Sequence, residues 1–174
     1  MSEQAGAAAS RHDSLVGREA HRIFLVVVDE TAELNAAIRY ACNRARKTGG
    51  RVALLCAYDI EKDLQTFAFV GQTIDQDARA AAQAAVDRHA AAIQATTGRA
   101  PEVFIRKGNR REALFSLVAE HPEISILVLA AAAGTRPGPL VEAVTGKFAG
   151  KISIPVTVVP GELSAAEIDR LTSG

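Results

Sequence analysis

Three of the chain's thirteen glycines, Gly134, Gly138 and Gly146, share one short stretch with Thr135, Arg136 and Lys147. Glycine clusters after an apolar run suit phosphate chemistry. Without a Cβ the backbone N–H groups can approach phosphate oxygens, and a following helix start adds its dipole. The spacing here is G-x3-G-x7-G, with Pro137 and Pro139 inside it. Each proline removes one N–H donor from the candidate cradle. Arg106, Lys107, Arg110 and Arg111 form a basic cluster nearby in the chain. On a ligand edge such cations meet an anion or an acidic partner; elsewhere they form a solvated rim.

The other reactive side chains are dispersed. Asp29 follows a β-branched run, where an acid stands favourably at the start of the next helix. Cys42 falls on an apolar helical stripe and Cys56 within an apolar run, so both are expected as buried, inert thiols. His12, His21, His89 and His121 are scattered, and no Cys or His pair has finger-like spacing, so no metal site is expected. No G-x-S-x-G elbow follows a strand, which leaves a serine nucleophile without its strained turn.

The elements that must position these residues alternate. His21–Val28 is a continuous apolar, β-branched run, the mark of a strand buried on both faces. Leu34, Ala37, Ile38, Ala41, Cys42 and Ala45 then form one helical stripe that Gly49 and Gly50 stop. Arg51–Ala57 is a second strand. A long connection, Asp59–Gln76, carries Phe67, Ala68, Phe69 and Val70 as a lid, a partner surface or a cover for the second strand. A helix is expected from about Asp75 to Thr97, with Ala82, Ala85, Val86, His89 and Ile93 on its apolar face. Val103–Ile105 is a third strand, and Asn109 caps a helix ended by Pro122. Ile124–Leu129 is a fourth strand. The loop Ala130–Gly138 leads to a weak helix from Pro139 to about Phe148, and Ile154–Val159 is a fifth strand. Ser164–Glu167 reads as a capping box for a short tail helix.

Crossover helices between buried strands imply a parallel, doubly wound α/β sheet, Rossmann-like, with right-handed connections. Its ligand crevice lies beyond the strand C-termini at the switch point, the edge that carries Asp29, Ala57, Lys107 and Ala130–Gly138. Residues 1–20 read as a disordered tail, 21–160 as the α/β domain, and 161–174 as a C-terminal tail.

Composition narrows the function classes. The 174 residues hold twenty Lys+Arg against twenty Asp+Glu, and the pI is near 6.9. No basic surplus is present to bind nucleic acid or anionic lipid by charge. Apolar residues make up 48% of the chain, aromatics 5%, and Trp is absent, so an aliphatic, Ala-rich core is expected. The longest apolar run, Ile126–Ala133, is far short of a membrane span. Two cysteines fit a reducing, cytoplasmic setting, and the N-terminus lacks the pattern of a signal peptide.

The segments Phe24–Glu30, Val103–Asn109, Ile126–Leu129 and Ile154–Pro160, in this order and spacing, resemble the universal stress protein family over about His21–Pro160. The resemblance implies strand order 3-2-1-4-5, a homodimer built near the fifth strand through Ile154, Val156 and Val158, and cytoplasmic, stress-linked roles. Nucleotide-binding members carry G-x2-G-x9-G-[ST] after the fourth strand. Aligned on Leu129, that motif falls on Ala130, Ala133, Ala143 and Val144, and it is not met. The reading is therefore a non-catalytic binding or regulatory module, a homodimer with room for a protein partner, without a cofactor. The alternative is an adenine-nucleotide switch, with slow hydrolysis as a further possibility. ATP or AMP with magnesium would then be held by Val28, Asp29, Ala57, Ala130, Gly134, Thr135, Arg136, Gly138 and Lys147.

Overall fold

The structure, a computed structural model, describes residues 22–59 and 68–173, the side chains of 68–72 excepted. Five short apolar runs form one parallel sheet: β1 (Ile23–Val27), β2 (Arg51–Tyr58), β3 (Glu102–Lys107), β4 (Ile124–Ala131) and β5 (Val156–Pro160). Their order is β3-β2-β1-β4-β5, the order the family resemblance implies. β1 sits centrally, pairing Phe24 with Val52 on one side and with Ile126 on the other. Among the described residues five α-helices join or follow the strands: α1 (Leu34–Thr48), α2 (Ala68–Thr97), α3 (Arg110–Glu120), α4 (Pro139–Thr145) and α5 (Ala165–Thr172).

Alternation along the strands builds two cores. Phe24, Val26, Leu54, Cys56 and Val128 face α1, α2 and α5, meeting Ala37, Ala41, Val86, Ile93 and Ile168. Ile23, Leu25, Val27, Leu55, Leu127 and Leu129 face α3 and α4, meeting Leu114, Leu117, Val141 and Val144. Every residue of β1 is buried, as its continuous apolar run requires. Small alanines on α1 let that helix lie close to the sheet.

β1 is shorter than expected (Ile23–Val27), β2 and β3 run longer (to Tyr58 and over Glu102–Lys107), and four further boundaries differ from the sequence reading. The helix expected from Asp75 begins at Ala68, so the latter half of the Asp59–Gln76 connection is helical. An Ala-rich helix, once nucleated, extends at low cost through residues without an apolar stripe, and Gly71 costs only about 1 kcal/mol. Residues 60–67, Phe67 included, lie outside the described residues, as does the expected N-terminal tail. β4 continues past Leu129, because Ala130 and Ala131 still pair with Val159 and Pro160. The weak helix stops at Thr145, and a 3-10 turn at Ala149–Lys151 follows Phe148. β5 starts at Val156, which leaves Ile154 outside the ladder.

The C-terminal segment is packed onto the domain. The capping box forms in full: Glu167 N–H donates to Ser164 Oγ, and Ser164 N–H donates to Glu167 Oε2 at 2.8 Å. Ile168 and Thr172 are buried against α1. Among the described residues no helix is long and apolar enough to cross a membrane.

Candidate functional site

Strand order reverses between β1 and β4, and a cavity of about 510 Å³ opens beyond their C-terminal ends. Its apolar floor comes from Val27, Val128, Leu129, Leu34, Ala37 and Val141. Asp29, Thr31 and Glu33 stand on the β1–α1 side, Asn109, Arg110 and Arg111 on the α3 side, and Pro137–Leu140 on the α4 side.

Each wall follows from local sequence. Asp29 closes a tight turn: its Oδ1 accepts from the Thr31 N–H at 3.0 Å and from the Thr31 hydroxyl at 2.6 Å. Asn109 caps α3 as expected, its Oδ1 accepting from the N–H groups of Arg111 (3.0 Å) and Glu112 (3.4 Å). That cap fixes the first turn, which presents Arg110 and Arg111. On the third wall Ala132 N–H donates to the Pro137 carbonyl at 3.2 Å, folding the loop back on itself. Gly138, at φ +110°, makes the turn into α4, a backbone conformation that disfavours any side chain.

The residues singled out from the sequence separate here. Asp29, Ala130 and Gly138 line the cavity. Gly134, Thr135, Arg136 and Lys147 are exposed and do not line it. Val28 is buried, its N–H donating to the Leu55 carbonyl at 2.7 Å. Ala57 is half-buried in β2 opposite Arg106, away from the cavity lining. Val144 is buried in the core that faces α3 and α4. Ile154, Val156 and Val158 are half-buried beside that core, at the open edge of β5.

The basic cluster divides in two. Arg106 donates to Glu120 Oε2 at 2.7 Å. Lys107 Nζ lies 3.0 Å from Asp75 Oδ1, an ion pair by distance that lacks hydrogen-bond geometry. Arg110 and Arg111 instead contribute to the cavity lining. Arg111 lays its guanidinium over the Phe148 ring, 4.6 Å from the centroid. Burial pushes the Cys56 thiol up, with the charges of Arg110 and Arg88 acting against it. The sequence reading placed Leu34 and Ala37 only on a helical stripe and did not single out Thr31 or Glu33; nothing in their local pattern marks them as cavity walls.

A larger groove, about 890 Å³, runs between α1, the end of α2 and α5. Polar groups on its α1 and α5 walls bond to one another: Asn43 Nδ2 donates to Asp169 Oδ1 at 2.8 Å and to Thr172 Oγ1 at 2.9 Å. It seats a helix. Among the described residues no three His, Cys, Asp or Glu side chains gather to hold a metal.

Comparison with known proteins agrees with this architecture. The sequence model of the universal stress protein family matches residues 21–160. No curated protein sequence matches the chain. Among solved structures, the universal stress protein UspA of Lactobacillus plantarum is 22% identical with a TM-score of 0.63, over 79% of this chain and 97% of its own. A universal stress protein of Archaeoglobus fulgidus is 16% identical with a TM-score of 0.56, over 79% of this chain and 98% of its own. An Arabidopsis thaliana family protein with AMP bound is 12% identical with a TM-score of 0.55, over 80% and 91%. At these identities the likeness is one of fold.

Proposed function

The chain belongs to the universal stress protein family, and on that premise we propose that it is a stress-linked binding module without catalysis, taking a small molecule in the switch-point cavity and pairing with a second copy through β5. The observation that carries the reading is the divided loop after β4. Gly134, Thr135 and Arg136 stand in solvent outside the cavity, while the part that lines it holds Pro137 and Pro139, which have no N–H to offer. A triphosphate placed there loses at least two charge-assisted hydrogen bonds. At about 1.5–3 kcal/mol each, that weakens binding by a few hundred-fold or more. The apolar floor remains suited to a small ligand.

Calorimetric titration with ATP and AMP, with and without magnesium, tests this reading. Dissociation constants well above about 10 µM are expected, and a tighter value overturns the preference. The second reading, an adenine-nucleotide switch, is favoured by Asp29 and Gly138 facing one cavity and by the AMP bound to the Arabidopsis relative. An ATP turnover assay that exceeds background would add hydrolysis to it.

The dimer reading draws on β5, which among the described residues pairs only with β4 and carries half-buried Val156, Thr157 and Val158 at the sheet edge. An edge of this kind invites a partner strand or surface. Light scattering after size exclusion is expected to give twice the 18.3 kDa of one chain; the mass of a single chain at micromolar concentration overturns it. A reducing, cytoplasmic setting accords with Cys42 and Cys56, both buried and unpaired.

A further inference from the structure

We propose that the switch-point cavity selects an amphiphile with a single anionic group, a compact apolar body bearing one sulfonate, phosphate or carboxylate, and that Arg110 and Arg111 hold that group from the α3 side. The inference rests on the cavity being the ligand site and adds the chemistry of the ligand.

Charge is unevenly spent around this site. Of the four cations between Arg106 and Arg111, the two that face away have carboxylate neighbours, Glu120 and Asp75. Arg110 and Arg111, the two that line the cavity, have no carboxylate within ion-pair distance among the described residues. Arg111 is held without being neutralised, its guanidinium stacked on Phe148. Lys147 and Lys151 gather on the same ring, at 5.8 and 5.3 Å from its centroid, and add to the positive field behind Arg111. Across the cavity, one Asp29 oxygen is engaged by Thr31. The gradient therefore runs from an acidic wall at α1 to a cationic wall at α3, over an apolar floor.

Guanidinium groups suit such a ligand because their planar fork meets two oxygens of one anionic group at once. The amides of Arg111 and Glu112 are already taken by Asn109, so recognition falls to the side chains. Pro137 and Pro139 on the opposite wall carry no N–H, so that wall is short of donors for further phosphates and the site favours a single anionic group. The volume of about 510 Å³ accommodates two or three fused or linked rings.

The test uses two fluorescent probes on the full chain. 8-Anilinonaphthalene-1-sulfonate carries the anion, and N-phenyl-1-naphthylamine is the same ring system without it. The wild-type chain is expected to bind both saturably and in competition, the sulfonate about ten-fold tighter. The double variant Arg110→Gln/Arg111→Gln is expected to lose that preference, leaving the neutral probe within about two-fold. Phe148→Leu is expected to lose part of it and Phe148→Tyr to restore it, as a positioning role for the ring requires. Equal affinities on the wild type, or an unchanged preference in the double variant, overturn the assignment while leaving the pocket in place. Binding without competition, or no saturable binding of either probe, overturns the ligand-site reading and this inference with it.

Discussion

Arg39 grips Asp169 at two points across 130 positions of chain, Nε to Oδ1 at 2.8 Å and Nη2 to Oδ2 at 2.6 Å. Together with Asn43 this pair fastens α5 to α1 and makes the C-terminal helix part of the domain. The Arg39 guanidinium, and after it the Asn43 amide, hold the Asp169 carboxyl down at about 2.

That depression sets a pH window. A carboxyl lowered on folding contributes above its unfolded value, near 4, and its contribution is lost as pH falls through about 2. Amide exchange of Ala165–Thr172 should therefore lose protection selectively between those values, with β1 unaffected. Asp169→Asn should weaken α5 docking at neutral pH and abolish this pH dependence.

Leu114 is fully buried between α3 and the sheet. Leu114→Ala should cost about 2–5 kcal/mol in chemical denaturation, since it combines lost burial with a cavity the packed helix cannot close. Anchoring of the turn that carries Arg110 and Arg111 should loosen with it.

Asn109 has a smaller and more local task. Asn109→Ala should cost about 1 kcal/mol, and Asn109→Asp only a few tenths, because either an amide or a carboxylate oxygen accepts from the first-turn amides. Urea denaturation of the three proteins separates these outcomes.

Burial pushes the Cys42 thiol up to about 11. At pH 8 the folded chain should react with a disulfide reagent about a hundred-fold more slowly than the urea-unfolded chain, which releases both Cys42 and Cys56. Fast native-state reaction of either thiol would contradict the packing around α1 and β2.

Local pattern was enough for much of this protein. The runs at Ile23, Arg51 and Ile124 and the stripe of Leu34, Ala37 and Ala41 are properties of neighbouring residues, so the chain order of strands and helices, the Asn109 cap and the Ser164 box could be read directly. Burial of Cys42 and Cys56 follows from the same periodicity. The strand order itself came from the family resemblance. Asp29 and Gly138 could be placed at a ligand edge because a parallel sheet puts its crevice at the strand C-termini.

Tertiary structure decided what depends on distance across the fold. The sequence presents Arg106, Lys107, Arg110 and Arg111 as one basic cluster; only packing gives two of them to Glu120 and Asp75 and leaves the other two at the cavity wall. Likewise Gly134 and Thr135 look like a phosphate loop until the Ala132–Pro137 hydrogen bond turns them to solvent. The partner of Asp169 is 130 residues away. Periodicity reports which face of an element is buried, whereas the pairing of charges across elements is settled by the geometry that burial produces.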